Sequence, residues 1–170
     1  MTVFYARPAT PADISRLEAQ FNIVFPEAYR AFLLEYNGMF VDDGDYVDFK
    51  LPPIREPVSF QAVYGIGSPN PNFDLETVNH SLQNGLEVLS SPWIFGEDPG
   101  GNFYLFDAQG TVYYWDRTHL HAEPAAHYDT DTEGGLFAAA DSFADFYRLL
   151  HSHISKMRFC QLIEWPNRRR

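Results

Sequence analysis

Three histidines in one polar segment are the residues of this sequence most suited to bind a metal ion. His119 and His121 would share one face of a strand, and His127 follows in the same segment. No cysteine or aspartate stands at a matching ligand spacing, and Pro124 interrupts the segment. The pattern therefore favours a solvent-exposed loop, and no metal site is predicted.

Four aspartates close together form a second candidate for cation binding. Asp42, Asp43, Asp45 and Asp48 do not fit a calcium-binding EF-hand loop, because Gly44 falls at the wrong position and no glutamate follows at the twelfth. A weak divalent-cation site is left open here. Contact with a basic protein is the preferred interpretation of these acidic loop residues.

Groups for acid–base or nucleophilic catalysis do not assemble in the sequence. Glu97 and Asp98 are neighbours on a turn, so their side chains should point apart, and no partner base accompanies them. Solvated turn acids are the better interpretation. Ser90-Ser91 lacks the glycines of a nucleophile elbow, and Cys160 lies outside any catalytic pattern. The sequence thus predicts a protein that is not an enzyme.

Gly65-Ile66-Gly67 is similar to the start of a dinucleotide-binding loop but lacks its third glycine. Pro69 and Pro71 stand where such a loop must be followed by a helix. No cofactor is predicted from this segment. Gly100-Gly101 is interpreted as a tight turn between two strands.

Hydrophobic spacing predicts three helices that would position these residues. The first has Thr10 as its N-cap, with an acid placed for a capping box, and ends at Asn22. The second runs from Pro26 to Asn37-Gly38, and the third begins at Ser142. The residues predicted to form the structural core are Leu17, Phe32, Leu33, Trp115, Phe143 and Phe146.

Strand-like alternation occupies the middle of the chain. The predicted strands are 47–51, 58–64, 103–106 and 111–115. A hairpin with Asp42, Asp43 and Asp45 in its loop is expected before the first of them, and Asp107–Gly110 is the predicted hairpin loop between the last two. Helices at the ends of an antiparallel sheet predict a single α+β domain.

Three connecting segments complete the prediction. Ile23–Phe25 is expected to be a short buried extended link. Residues 69–84 are expected to be loop with at most a short helix after Asp74, and residues 119–135 a long polar connection. In the aromatic strand, Tyr113 and Trp115 should share one face, with Trp115 buried and the neighbouring Asp116 available for contacts.

The charge distribution favours a protein partner. The formal net charge is -11, and before Lys156 the chain has 22 acidic and 7 basic residues, a net of -15. Such a field repels nucleic-acid phosphates and speeds encounter with a basic partner. An acidic surface that only confers solubility is the alternative. Five basic residues against one acid follow from Lys156 onward.

The chain carries no signal-peptide pattern and no apolar run long enough for a membrane span. Its single cysteine, Cys160, excludes an internal disulfide and agrees with a reducing compartment. A cytoplasmic protein without membrane contact is expected. At 170 residues one core is the default, and a monomer or weak homodimer is expected.

Short segments spread along the chain occur together in one known family. They are Ile14–Glu18, Phe25–Leu33, Tyr36–Gly38, Tyr64–Gly67, Phe95–Asn102, Gly110–Asp116 and Ala140–Phe146. In this order, from about Thr10 to His151, they resemble the SUKH superfamily, the Smi/Knr cell-wall-assembly-regulator type of domain. The resemblance implies a SUKH domain over residues 1–155, followed by a basic C-terminal tail over 156–170.

The resemblance also implies a function. Bacterial members of this superfamily are associated with immunity proteins that neutralise polymorphic toxins, often nucleases or deaminases, whereas eukaryotic relatives act as regulatory scaffolds. An immunity protein that binds a basic toxin domain is therefore expected. A regulatory or scaffold module and an uncharacterised hydrolase are the alternatives. The residues expected to contact the partner are Asp42, Asp43, Asp45, Glu97, Asp98 and Asp116.

Overall fold

A computed structural model describes residues 2–41, 47–51, 54, 57–81, 86–87, 89–117, 135–155 and 157–161. The helices are α1 (Pro11–Phe21), α2 (Glu27–Glu35), α3 (Leu75–Ser81) and α4 (Phe143–Ile154), with a 3-10 turn, η1, at Pro71–Phe73. The strands are β1 (Thr2–Tyr5), β2 (Met39–Val41), β3 (Val47–Phe49), β4 (Val58–Phe60), β5 (Ala62–Val63), β6 (Trp93–Glu97), β7 (Phe103–Phe106), β8 (Val112–Trp115), β9 (Leu136–Ala140) and β10 (Arg158–Gln161).

Eight of these strands form one sheet, in the order β10-β1-β2-β5-β6-β7-β8-β9. Every neighbouring pair is antiparallel except β1 and β10, which run parallel. Strands β3 and β4 form a separate antiparallel pair. Four helices with a large, mostly antiparallel sheet confirm the predicted single-domain α+β fold.

The helix boundaries follow from side chains at their ends. Thr10 caps α1, and its hydroxyl accepts from the Asp13 amide while the Asp13 carboxylate accepts from the Thr10 amide, as the spacing predicts. Asn22 ends α1 in the left-handed conformation. Ser142 caps α4 by accepting from the Asp145 amide at 3.1 Å. The three predicted helices are confirmed.

Aromatic rings join the helices to the sheet. Tyr29 of α2 contacts the ring of Phe106 on β7 edge-on at 5.2 Å and that of Phe143 on α4 at 4.9 Å. Phe95 of β6 contacts Phe146 at 5.4 Å. Such pairs contribute about 0.5–1.5 kcal/mol beyond the area that they bury. The six residues expected to form the core, Leu17, Phe32, Leu33, Trp115, Phe143 and Phe146, are all buried.

One strand prediction is wrong, and another falls on residues that the structure does not describe. The hairpin loop expected at Asp42, Asp43 and Asp45 lies outside the described residues, and the flanking strands β2 and β3 belong to different sheets. The strand expected over 58–64 is divided at Gln61 into β4, which pairs with β3, and β5, which pairs with β2 and β6. Alternation marks a strand but carries no information about which sheet it joins.

Two further segments differ from the prediction. The link Ile23–Phe25 is not buried throughout, since Val24 is 86% exposed while Phe25 inserts into the core at 2%. Arg158–Gln161, assigned from composition to a basic tail, pairs with β1 as the edge strand β10. The sheet therefore extends past residue 155, to Gln161.

Candidate binding groove

A groove of about 700 Å³ opens between α3 and the turn that joins β6 to β7. One side is formed by η1 and α3, and the other by the turn and the residues beyond it. Its lining is about equally polar and apolar. The lining residues are Gln61, Tyr64, Pro69–Phe73, Thr77, Val78, Ser81, Glu97–Gly101, Phe103 and Arg117.

Asp98 builds the turn side of the groove. Its Oδ1 accepts from the amides of Gly100 at 2.7 Å and Asn102 at 3.0 Å, and its Oδ2 accepts from the Asn102 side chain at 3.0 Å and the Tyr114 hydroxyl at 2.8 Å. Asp98 is only 6% exposed. Its interpretation as a solvated turn acid is therefore wrong: the carboxylate is a structural acceptor that shapes the turn.

Asp74 builds the opposite side. Its Oδ2 accepts from the amides of Gly67 at 2.9 Å and Ser68 at 3.2 Å, while its Oδ1 accepts from the Thr77 amide and hydroxyl at 2.9 Å each. This one carboxylate caps the first turn of α3 and binds the loop before it. The short helix expected after Asp74 is thus fixed to the groove.

The segment that is similar to a dinucleotide loop has a packing role. A Cβ on Gly65 would overlap the carbonyl oxygen of Asn37, so glycine is required by a close approach of two backbones. The Asn37 side chain also accepts from the Ile66 amide at 2.8 Å and donates to its carbonyl at 3.1 Å. Asn37 therefore ends the α2 segment and also holds the loop that leads to the groove.

Asn79 attaches α3 to the central sheet. Its side-chain amide donates to the carbonyl of Ile94 at 2.8 Å, and its carbonyl accepts from the Ile94 amide at 2.9 Å. The register of β5 against β6 includes only Gly96 and Glu97 of β6. The Asn79 side chain thus forms hydrogen bonds with the β6 backbone at Ile94, a position that does not pair with β5.

Two tyrosine hydroxyls are bonded to the acids of the groove. Tyr64 donates to Glu97 Oε2 at 3.0 Å, and Tyr114 donates to Asp98. Burial raises the pKa of both tyrosines, and the neighbouring carboxylate raises each of them further. Both hydroxyls therefore remain protonated donors at physiological pH.

Arg117 lies at the end of the groove that faces β8. Its guanidinium carbon is 4.6 Å from the centroid of the Phe103 ring and 5.2 Å from that of Trp115. Its backbone amide donates to Asn102 Oδ1 at 2.7 Å. Asp98, Asn102 and Arg117 are thereby connected, so the geometry of the turn also sets the position of the guanidinium.

The structure brings together only some of the residues expected to contact a partner. Glu97 and Asp98 line the groove, and Asp116 precedes Arg117, with its amide bonded to the Gly135 carbonyl at 2.8 Å. Asp42, Asp43 and Asp45 lie outside the described residues, as do His119, His121 and His127.

Among the described residues, no three acidic, histidine or cysteine side chains lie close enough together to hold a metal ion. No described helix combines the length and apolar character needed to cross a bilayer.

Arg117, which lines the groove, was not identified from the sequence, and neither were Asp74 and Asn79, which hold the α3 side of it in place. Asp74 had a local signal, because aspartate is a preferred N-cap residue at the start of a helix. The amide of Asn79 pairs with a strand 15 residues later, and Arg117 stacks on a ring from another strand. No local sequence pattern predicts either contact.

The fold and the groove define a single-domain α+β protein with a cleft of mixed polar and apolar lining beside its central strands. The chain belongs to the SMI1 / KNR4 family (SUKH-1), which its residues 8–149 match. This confirms the resemblance seen in the sequence. The family includes immunity proteins.

One relative of the chain is a protein of Bacillus subtilis (strain 168) described as "Uncharacterized protein YnaB". It is 42% identical over 43 residues, which cover 25% of this chain and 30% of the relative. The chain thus spans less than a third of the length of that relative, and the similarity is confined to this part.

Proposed function

We propose that this protein is an immunity protein that binds and neutralises a cognate toxin through the groove between α3 and the β6–β7 turn, without catalysis. The observation that carries the proposal is the groove itself, held open by buried carboxylates in a member of a family that includes immunity proteins. The expected partner is a toxin domain of the nuclease or deaminase class with a basic surface, met in the cytoplasm.

The composition of the groove supports a protein ligand. Phe73, Val78 and Phe103 supply apolar area, and Glu97 supplies a carboxylate on the opposite side. A mixed apolar and polar lining of this kind matches the composition of protein interfaces taken as a whole, in which a few anchor residues dominate affinity. The excess of acids in the body would favour encounter with a basic surface.

Co-expression with a toxin domain of the nuclease or deaminase class, taken from the neighbouring reading frame if that frame encodes one, tests the proposal. We expect the chain to restore growth and to purify as a complex with that domain. Ser81 lines the groove and is exposed, so Ser81→Arg should obstruct it and raise Kd by at least about tenfold. Ala144→Arg, at an exposed position of α4, adds the same charge and should leave Kd unchanged.

Two results would contradict the proposal in different ways. Equal binding by the Ser81→Arg and wild-type chains would exclude the groove as the interface. Absence of both growth rescue and a complex would exclude toxin neutralisation, and a regulatory scaffold would then be the better interpretation.

A further inference from the structure

Arg117 has hydrogen-bonding capacity that the fold does not use. Its Nη1 makes one long bond, 3.5 Å, to the Gly101 carbonyl. Its Nε is shielded from solvent and has no hydrogen-bond partner within the described residues. A guanidinium has five N–H donors, and a buried donor left without an acceptor costs about 1–3 kcal/mol.

Three other arginines of the described segments are paired with acids. Arg16 pairs with Glu76 at 2.9 Å, Arg148 pairs with Asp145 at 2.7 Å, and Arg30 pairs with Glu18. Arg117 and Asp98 line the same groove but form no ion pair with each other. The Asp98 oxygens are occupied by the turn and by Tyr114.

The guanidinium is also fixed in place before any ligand binds. It lies over the Phe103 ring, and its backbone is bonded to Asn102. Stacking of this kind occupies the face of the planar guanidinium and leaves its two terminal nitrogens in the geometry to donate two parallel bonds. Little conformational entropy would then be lost when a planar anion pairs with it.

We infer that Arg117 is an anchor for an aspartate or glutamate carboxylate on the surface of the protein partner. This inference rests on the proposed function and specifies the chemistry of its interface. A carboxylate fits better than a phosphate, because Glu97 and Asp98 lie in the same groove and the body carries an excess of acids, which repel a doubly charged anion more strongly.

The partner surface would then carry mixed charge. An acidic residue would pair with Arg117, and basic residues around it would face the carboxylate of Glu97. Such alternation fixes the register of an interface, since a shift by one position would bring like charges together.

Variants of Arg117 test the anchor in the complex with the toxin domain. Arg117→Met keeps an apolar stem over Phe103, and Arg117→Lys keeps the charge but loses the planar pair of donors. Both should raise the dissociation rate at least about tenfold, because the partner carboxylate would remain buried without its bidentate pair. Arg148→Met removes an exposed, paired arginine and should leave that rate unchanged.

Thermal unfolding of each variant separates loss of fold from loss of the anchor. A folded Arg117→Met chain that dissociates at the wild-type rate would overturn the inference while leaving toxin binding intact. Full binding by Arg117→Lys would also overturn it, because charge without the guanidinium geometry would then suffice.

A second measurement does not need the toxin. The Arg117 Nε–H resonance, assigned by its loss in Arg117→Lys, is followed by NMR while sodium acetate is added, with sodium chloride at equal ionic strength as the control. We expect a saturable shift with acetate alone, and none at Arg148. No response to acetate, or a stronger response to inorganic phosphate, would overturn the inference even if the toxin binds.

Discussion

Short polar side chains bonded to backbone atoms define the groove at the level of single residues. Asp74, Asp98, Asn37 and Asn79 are all less than 10% exposed, and each makes two or more bonds with backbone amides or carbonyls. Buried polar groups that are fully bonded rigidify the surrounding structure. The groove is therefore preformed, which lowers the entropic cost of binding.

Replacement of Asn79 by leucine should destabilise the protein by about 1–3 kcal/mol or more, because the amide and carbonyl of buried Ile94 would lose their partners. Urea unfolding measures the change in the free energy of unfolding. Asn72→Leu, at an exposed position of η1, serves as the control and should change it by less than about 0.5 kcal/mol. Equal effects of the two variants would show that Asn79 does not fix α3 to β6.

Truncation of Phe32 to alanine should cost about 3–5 kcal/mol, because the ring is 4% exposed and contacts Phe143 and Tyr147 of α4. Leu34→Ala on the same helix provides the control, since Leu34 is 41% exposed. Both are measured by urea unfolding. A cost under about 1 kcal/mol at Phe32 would contradict the assignment of this helix face to the core.

At the level of elements, the two acids in the helix caps couple stability to pH. The side-chain hydrogen bond from Thr10 lowers the pKa of Asp13, and that from Ser142 lowers the pKa of Asp145, both from an ordinary 3.8. A depressed folded-state pKa gives stability that is fully present above about pH 3.8 and is lost as pH falls through the folded-state value. The ends of α1 and α4 should therefore weaken in acid.

The double variant Asp13→Asn, Asp145→Asn tests this pH dependence. Its urea midpoint should lie below that of the wild type by a constant amount above about pH 5. The difference should shrink as pH falls below 3.8, because the wild-type acids then become neutral as well. A difference that is the same at pH 2 and pH 6 would show that the ionised forms contribute nothing to the caps.

Elements with local signals could be predicted from the sequence, and their partners could not. Thr10, Asn22 and Ser142 mark helix ends because each satisfies backbone groups within a few residues. The hairpin loop before β8 was also predictable, since Gly110 at φ 85 follows the turn pattern. By contrast, β1 and β10 are near opposite ends of the chain, and no local pattern indicates that they pair. The predicted strand is divided at Gln61 because β4 and β5 join different sheets, which no local pattern indicates either.

The candidate groove was the least predictable part for the same reason. Glu97 and Asp98 were both expected to be solvated acids on a turn that could contact a partner. In the structure Glu97 is half-buried and accepts from Tyr64, whereas Asp98 is buried and accepts from Asn102 and Tyr114. Burial of a polar residue is set by contacts between strands, which alternation alone does not specify.

At the level of the whole molecule, the excess of acids should act on encounter with the partner more than on the lifetime of the complex. The net charge of -15 before Lys156 is spread over the body, whereas the groove holds only a few charged groups. Long-range fields raise association rates, and close contacts determine dissociation. The partner-contact role of Asp42, Asp43, Asp45, Glu97 and Asp116 remains a proposal, and the two effects are separable by kinetics.

The association rate with a basic toxin domain should fall steeply with salt, as the Debye length shrinks from about 30 Å at 0.01 M to about 10 Å at 0.1 M. Joint neutralisation of Asp42, Asp43 and Asp45 to asparagine should slow association and weaken this salt dependence, with dissociation nearly unchanged.

Glu97→Gln should instead speed dissociation, because Glu97 lines the groove where contacts would be close. Asp98 is left intact in both variants, since its carboxylate holds the turn. Stopped-flow mixing measures both rates. Association that is independent of salt and unaltered in the triple variant would make the acidic body a solubility feature, and the partner would then be recognised by the groove alone.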